Sequence, residues 1–195
     1  PHHADKNHPA ANDYPDQVRA YIKKELSLGG LLGPFTEPPF QPWFQTSPLL
    51  TAPKKDTTER RIVLDMSFPD ESVNSGITKN VLDGPYRPYT LPSIDDLANK
   101  VCALGQGAYM WKSDMARAFK QLRSDPGDMP LLGFQFDGLY YIEATPPFGC
   151  RLSSSACQRT SNAVAYLMGK AGTWCLAYLD DFCGAASTLK QATQD

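Results

Sequence analysis

The chain has 195 residues, 42% of them hydrophobic, with 19 Lys and Arg against 21 Asp and Glu and a formal charge of −2. That length and apolar content allow a genuine core, in one domain or two small lobes, and exclude a globally disordered chain. The near balance of charge excludes a simple nucleic-acid-coating protein, because the phosphate backbone rewards an excess of Lys and Arg.

Residues 1–12 are polar and rich in Pro, His and Asn, and read as a disordered N-terminal tail. A helix is expected after Asp13, since Pro15 suits a first turn, Val18, Tyr21, Ile22 and Leu26 share a face, and Gly29-Gly30 stops it. Thirteen of the seventeen prolines fall by position 92, so residues 34–92 are expected to be extended segments and loops rather than helices. Beyond Pro92 the pattern is more regular. Ser93 precedes Ile94, Leu97, Val101 and Leu104 at helical spacing, and Asp95-Asp96 complement the dipole of that helix's first turn.

Ala108 to Asp114 reads as a strand, with Phe119 five residues later. Phe134 to Tyr141 reads as a hairpin turning at Asp137-Gly138. Ser155 with Gln158 resembles a capping box for a long helix carrying Thr160, Ala163, Val164 and Leu167 up to Gly169. The last element is a second hairpin, Trp174-Cys175-Leu176-Ala177 and Phe182-Cys183, with Tyr178-Leu179-Asp180-Asp181 at its tip.

That tip holds the most informative chemistry. Successive strand residues point to opposite faces, so Asp180 and Asp181 can serve one site only if the chain turns beneath them. Two carboxylates about 4 Å apart repel by roughly 1 kcal/mol in water and roughly 4 kcal/mol at an effective dielectric near 20, which a divalent metal reverses. A third carboxylate, Asp114 from a neighbouring strand, completes an oxygen set of the kind Mg2+ prefers.

Other chemistries recede. The five cysteines are odd in number and form no C-x-x-C pair, and all three histidines lie within the first eight residues, so neither a zinc site nor a disulfide framework is expected. With no histidine beyond His8, Ser-His or Cys-His catalysis has no base. No apolar run approaches the roughly 20 residues that span a bilayer and no signal peptide opens the chain, which leads us to expect no membrane partner and an intracellular location, cytoplasm or nucleus.

These residues resemble the reverse transcriptases of retroelements, with Asp114 in the first palm motif and Tyr178-Leu179-Asp180-Asp181 as the Y-x-D-D motif. Between them Pro147-Phe148-Gly149-Cys150-Arg151-Leu152-Ser153-Ser154 is similar to the turn before the palm helix, and Lys54-Lys55-Asp56 through Arg61 to Asp65 to the fingers hairpin. Ser67-Phe68-Pro69, Ser72-Val73-Asn74-Ser75-Gly76-Ile77 and Leu132-Gly133-Phe134 most resemble enzymes of the DIRS-type tyrosine-recombinase or gypsy-type retrotransposons. The resemblance implies an α+β fold, reverse-transcriptase-type fingers and palm with an antiparallel palm sheet packed on helices. The fingers-type lobe would occupy residues 13–91 and the palm-type lobe residues 92–195, truncated after the hairpin with the thumb missing. It further implies a module of a larger polyprotein, with thumb and ribonuclease H portions as its remaining parts.

The activity so implied is RNA-directed DNA polymerisation, in which two Mg2+ ions, or Mn2+ in their place, assist attack of a primer 3′-hydroxyl on a deoxynucleoside triphosphate over an RNA or DNA template. Asp114 and Asp180 would be the main metal ligands and Asp181 would assist. Lys54 and Arg61 would bind the triphosphate, the one as a mobile point charge and the other as a rigid fork, whereas Lys55 and Arg60 are expected on the solvated surface. Phe119 matches the steric gate that excludes a 2′-hydroxyl. Gly149 lacks a Cβ and permits close approach to nucleotide or template, and Phe148 stands where retroviral enzymes carry glutamine, which leaves stacking or packing there. An RNA-templated RNA polymerase shares the carboxylates, and a catalytically incompetent remnant that binds nucleic acid or partner chains is the alternative of a different class.

Overall fold

The computed structural model describes residues 6–68, 70–78 and 89–193; positions 1–5 of the expected tail, Pro69 and 79–88 of the proline-rich stretch lie outside the described residues. In chain order the described helices are α1 (Pro9–Asn12), α2 (Pro15–Ser27), α3 (Val73–Gly76), α4 (Ile94–Leu104), α5 (Ser153–Lys170) and α6 (Leu189–Ala192). The strands are β1 (Leu31–Phe35), β2 (Leu49–Pro53), β3 (Arg60–Leu64), β4 (Tyr109–Asp114), β5 (Gly133–Phe136), β6 (Leu139–Glu143), β7 (Cys175–Tyr178) and β8 (Asp181–Ala186). All pairings between these strands are antiparallel, so the α+β expectation holds. None of the described helices is long and apolar enough to cross a membrane.

Contacts gather the described residues into two units, one within Pro1–Pro85 and Lys120–Ser153, the other within Tyr86–Phe119 and Ser154–Asp195. This departs from the expected contiguous lobes, 13–91 and 92–195. The reason is strand pairing: β6 bonds to β1 on one side and β5 on the other, which draws the Asp137-Gly138 hairpin into the first unit.

In the first unit α2 starts at Pro15, whose missing N–H is no loss at that position, and buries Val18 and Ile22. They join Leu31, Phe44, Leu49, Ile62, Leu64, Met66, Phe134 and Ile142 in one core, where each large side chain contributes about 1.5–3 kcal/mol. Phe134 stacks on its cross-strand partner Tyr141 with centroids 5.2 Å apart. The β5–β6 turn is the expected one, with Asp137 and Gly138 both at positive φ as a two-residue type I′ loop requires. Among the described residues of 34–92, the short helix α3 departs from the helix-free reading.

Residues 6–12 of the expected tail are ordered. Asn7 accepts from the Leu49 N–H and donates to the Gln135 carbonyl, His8 Nε2 lies 2.8 Å from Asp65 Oδ2, and Ala11 of α1 is fully buried. Composition could not reveal this, because polar contacts to distant residues and one buried alanine do the anchoring, among them the His8 N–H on the Leu49 carbonyl and the Thr51 hydroxyl on the Ala10 carbonyl.

One charged network lies inside the first unit. Lys120 and Glu143, with side chains 8% and 2% exposed, meet at 2.5 Å, and the Tyr21 hydroxyl donates to the other Glu143 oxygen. Burial pushes the Glu143 carboxyl up, while the Lys120 ammonium and the Tyr21 hydroxyl pull it back.

In the second unit the sheet order is β4-β8-β7. Helix α4 opens with a reciprocal Ser93–Asp96 capping box, so the Asp95-Asp96 pair is explained by the helix start, as expected. The β7–β8 hairpin turns through Leu179 and Asp180, with Leu179 at φ 54, a left-handed conformation that a leucine rarely adopts. Helix α5 holds it there: Gln158 donates to the Ala177 carbonyl at 2.7 Å and accepts from the Leu179 N–H at 2.6 Å, and Ser161 donates to the Leu179 carbonyl. The expected capping box is therefore absent. The helix starts at Ser153, whose hydroxyl donates to Pro147, and Gln158 is used as a clamp.

Two outcomes follow. Removing one partner of the buried pair, as in Lys120→Met or Glu143→Ala, should destabilise the chain by about 3–5 kcal/mol in urea unfolding, and the double replacement by less than the sum; additive losses would contradict the pairing. Gln158→Leu should cost about 1–3 kcal/mol and speed hydrogen exchange of the Leu179 amide, since two backbone groups lose their partner.

Candidate active site

The register of β4 on β8 places Asp114 directly opposite Asp181. Residues so paired project to one face of the sheet, with Cα atoms about 4.5–5.5 Å apart. Asp180 precedes Asp181 in the turn, and its carbonyl accepts from the Met115 N–H at 2.7 Å, which stitches the tip of the hairpin to the end of β4. The turn thus lets two consecutive aspartates sit by a third from another strand.

Like charges opposite each other on a sheet are destabilising unless a cation intervenes. Here the ammonium of Lys112 lies 3.0 Å from Asp181 Oδ1. Its pKa is raised, first by the hydrogen bond to Asp181 and then by the charges of Asp181, Asp114 and Asp180. The three carboxylates therefore act on one point in space. They are not drawn into a closed cage, and among the described residues no three His, Cys, Asp or Glu side chains form a group that could hold a metal ion. The donor set, hard anionic oxygens on one sheet face and its turn, fits Mg2+ in kind.

Phe119 is buried with Ala118 and Cys157, and Met115 and Leu179 pack on them. The ring thus stands in the same apolar cluster as the residue that precedes Asp180. Burial raises the Cys157 thiol, with Asp180 adding to it.

The remaining expected residues belong to the first unit. Lys54 sits in the β2–β3 loop paired with Glu59 at 2.5 Å, which lowers the Glu59 carboxyl. Arg61 is exposed on β3, opposite Ala52. Arg60, expected on the surface, is instead half-buried: it donates to the Thr51 hydroxyl and carbonyl and lies 4.0 Å from the Tyr14 ring centroid. Phe148 is exposed, and its carbonyl accepts from the Leu64 N–H. Gly149 has φ 112, and a Cβ there would land on the Leu64 carbonyl oxygen, so its approach is to β3 itself. Asn74 secures this corner by donating to the Gly149 carbonyl and accepting from the Arg151 N–H.

In the sequence alone Gln158, Ser161 and Lys112 are not placed at the site, and Gln158 is given to a capping box instead. Only Lys112 left a signal, since it stands two positions before Asp114 and so on the same face of the strand.

Comparison with known proteins identifies the family and the fold. The family described as reverse transcriptase (RNA-dependent DNA polymerase) matches residues 52–195. The retrovirus-related Pol polyprotein from transposon 297 of Drosophila melanogaster is 25% identical over 190 residues, which are 95% of this chain and 16% of that protein. Prototype foamy virus protease-reverse transcriptase superposes with a TM-score of 0.72 at 22% identity, covering 100% of this chain and 22% of its own. The foamy viral enzyme in complex with an RNA/DNA hybrid gives 0.67 at 19% identity, over 98% of this chain and 22% of its own. This chain therefore spans a minor part of each of these relatives, and by the family match and the shared fold it belongs to the reverse transcriptase family.

Proposed function

We propose that the chain is the RNA-directed DNA polymerase module of a retrotransposon polyprotein, transferring deoxynucleotides to a primer 3′-hydroxyl on an RNA or DNA template. The observation that carries this reading is the pairing of Asp114 with Asp181 beside the Asp180 turn, in a chain of this family. The relative from transposon 297 supports the polyprotein setting. The foamy viral enzymes solved with double-stranded DNA and with an RNA/DNA hybrid support a template and primer as partners. Thumb and ribonuclease H portions would be its neighbours in the polyprotein, and cytoplasm or nucleus its place of work.

Asp114 and Asp180, assisted by Asp181, would hold two Mg2+ ions or Mn2+ in their place. When bound, the metals lower the pKa of the attacking hydroxyl and offset charge developing at phosphorus. The chain's own part is positioning. Arg61 offers two parallel N–H donors to a triphosphate, and Lys54 joins it by exchanging Glu59 for phosphate. Phe119 would be the steric gate, its ring held by the apolar cluster with Ala118 and Cys157 and closing the space a 2′-hydroxyl would need. Phe148 contributes packing at the nucleotide or template, and Gly149 keeps that corner free of a side chain.

Primer extension on an RNA template with Mg2+ by the polyprotein that carries this sequence tests the reading. Asp180→Asn with Asp181→Asn should reduce extension by about 100-fold or more; undiminished synthesis by this variant would refute the assignment. In the same assay Phe119→Ala should raise ribonucleotide use relative to deoxyribonucleotide by about 10-fold or more. An unchanged sugar preference would remove Phe119 from the gate and reopen the RNA polymerase alternative.

A further inference from the structure

Lys112 is held by the carboxylate cluster, and strand geometry explains why. Residues 112 and 114 of β4 share a face, Lys112 pairs with Cys183 and Asp114 with Asp181, so Lys112 is the diagonal neighbour of Asp181 on that face. Its ammonium reaches Asp181 Oδ1 at 3.0 Å although the side chain is 68% exposed and free to extend elsewhere. The charges of Asp114 and Asp180 act on the same ammonium.

We propose that Lys112 is the resident cation of this cluster, which neutralises Asp181 until a divalent metal displaces it, and that it thereby sets the affinity of the site for metal. This rests on the reading of Asp114, Asp180 and Asp181 as metal ligands. An ammonium is a compact point charge on a flexible stem, able to occupy a carboxylate without fixing its geometry and to leave when a stronger cation arrives. Three carboxylates and one ammonium carry two net negative charges, so the cluster stays attractive to a divalent ion while Lys112 is in place. The ammonium and a divalent ion compete for the charge of the same carboxylate, so Lys112 opposes metal binding while it is in place. Lys112 acts through Asp181 and is a positioning residue.

The test is Mn2+ titration of the 195-residue chain followed by electron paramagnetic resonance of free Mn2+, which does not depend on polymerisation. Lys112→Gln should bind Mn2+ about two- to fivefold more tightly than wild type, the range that exposed ion pairs span. Lys112→Arg should restore the wild-type value or weaken binding, and Lys170→Gln, which removes a charge from the far end of α5, should leave it unchanged. Asp180→Asn with Asp181→Asn should abolish binding at this site. If Lys112→Gln binds no more tightly than wild type, or no more tightly than Lys170→Gln, while the aspartate variant loses binding, this inference falls and the metal-ligand reading stands. If wild type and Lys112→Gln both bind no better than the aspartate variant, both fall.

Discussion

Electrostatic repulsion between Asp114 and Asp181 is the constraint on which the rest of the site depends. Antiparallel pairing brings two like charges face to face, with a third beside them in the turn, an arrangement that is destabilising and that a positive partner relieves. Among the described residues Lys112 supplies such a partner, its ammonium 3.0 Å from Asp181. The local structure is thus built around a surplus of negative charge rather than for stability, and a family whose chemistry is nucleotidyl transfer gives that surplus a use.

Holding the surplus in place falls to neutral groups. The tip of the hairpin requires Leu179 in a left-handed conformation, which side-chain sterics disfavour, and Gln158 and Ser161 bond both the N–H and the carbonyl of that residue. Both side chains are fully buried on α5, where their hydrogen bonds are protected from water. The clamp uses no charge, so it adds nothing to the field at the aspartates. In the first unit the reverse choice is made: Lys120 and Glu143 are a buried charged pair, balanced by each other and by Tyr21.

Much of this was legible in the sequence because it rests on local rules. Pro15, Ser93 with Asp96, and Asp137-Gly138 each mark their element through backbone chemistry acting over four residues or fewer, and the structure follows them. The hairpin bearing Tyr178 to Asp181 was legible for the same reason, and the strand ending at Asp114 from its apolar run. What was not legible depends on distant partners. Gln158 looked like half of a capping box because its actual partners, Ala177 and Leu179, lie 19 and 21 positions away. The assignment of the β5–β6 hairpin to the first unit depends on β1, more than a hundred residues earlier, and the anchoring of residues 6–12 on Leu49 and Asp65. At Gly149 the sequence shows the missing Cβ but not the Leu64 carbonyl, 85 positions earlier, that packs against it.

Anomalous diffraction from crystals of the chain soaked in Mn2+ tests the central claim most directly, because it locates the cation without reference to activity. The account predicts a manganese peak bonded to carboxylate oxygens of Asp114 and Asp180 at the β7–β8 tip, with the Lys112 ammonium moved off Asp181. Manganese bound elsewhere, with Asp114 and Asp180 carrying none, would contradict it.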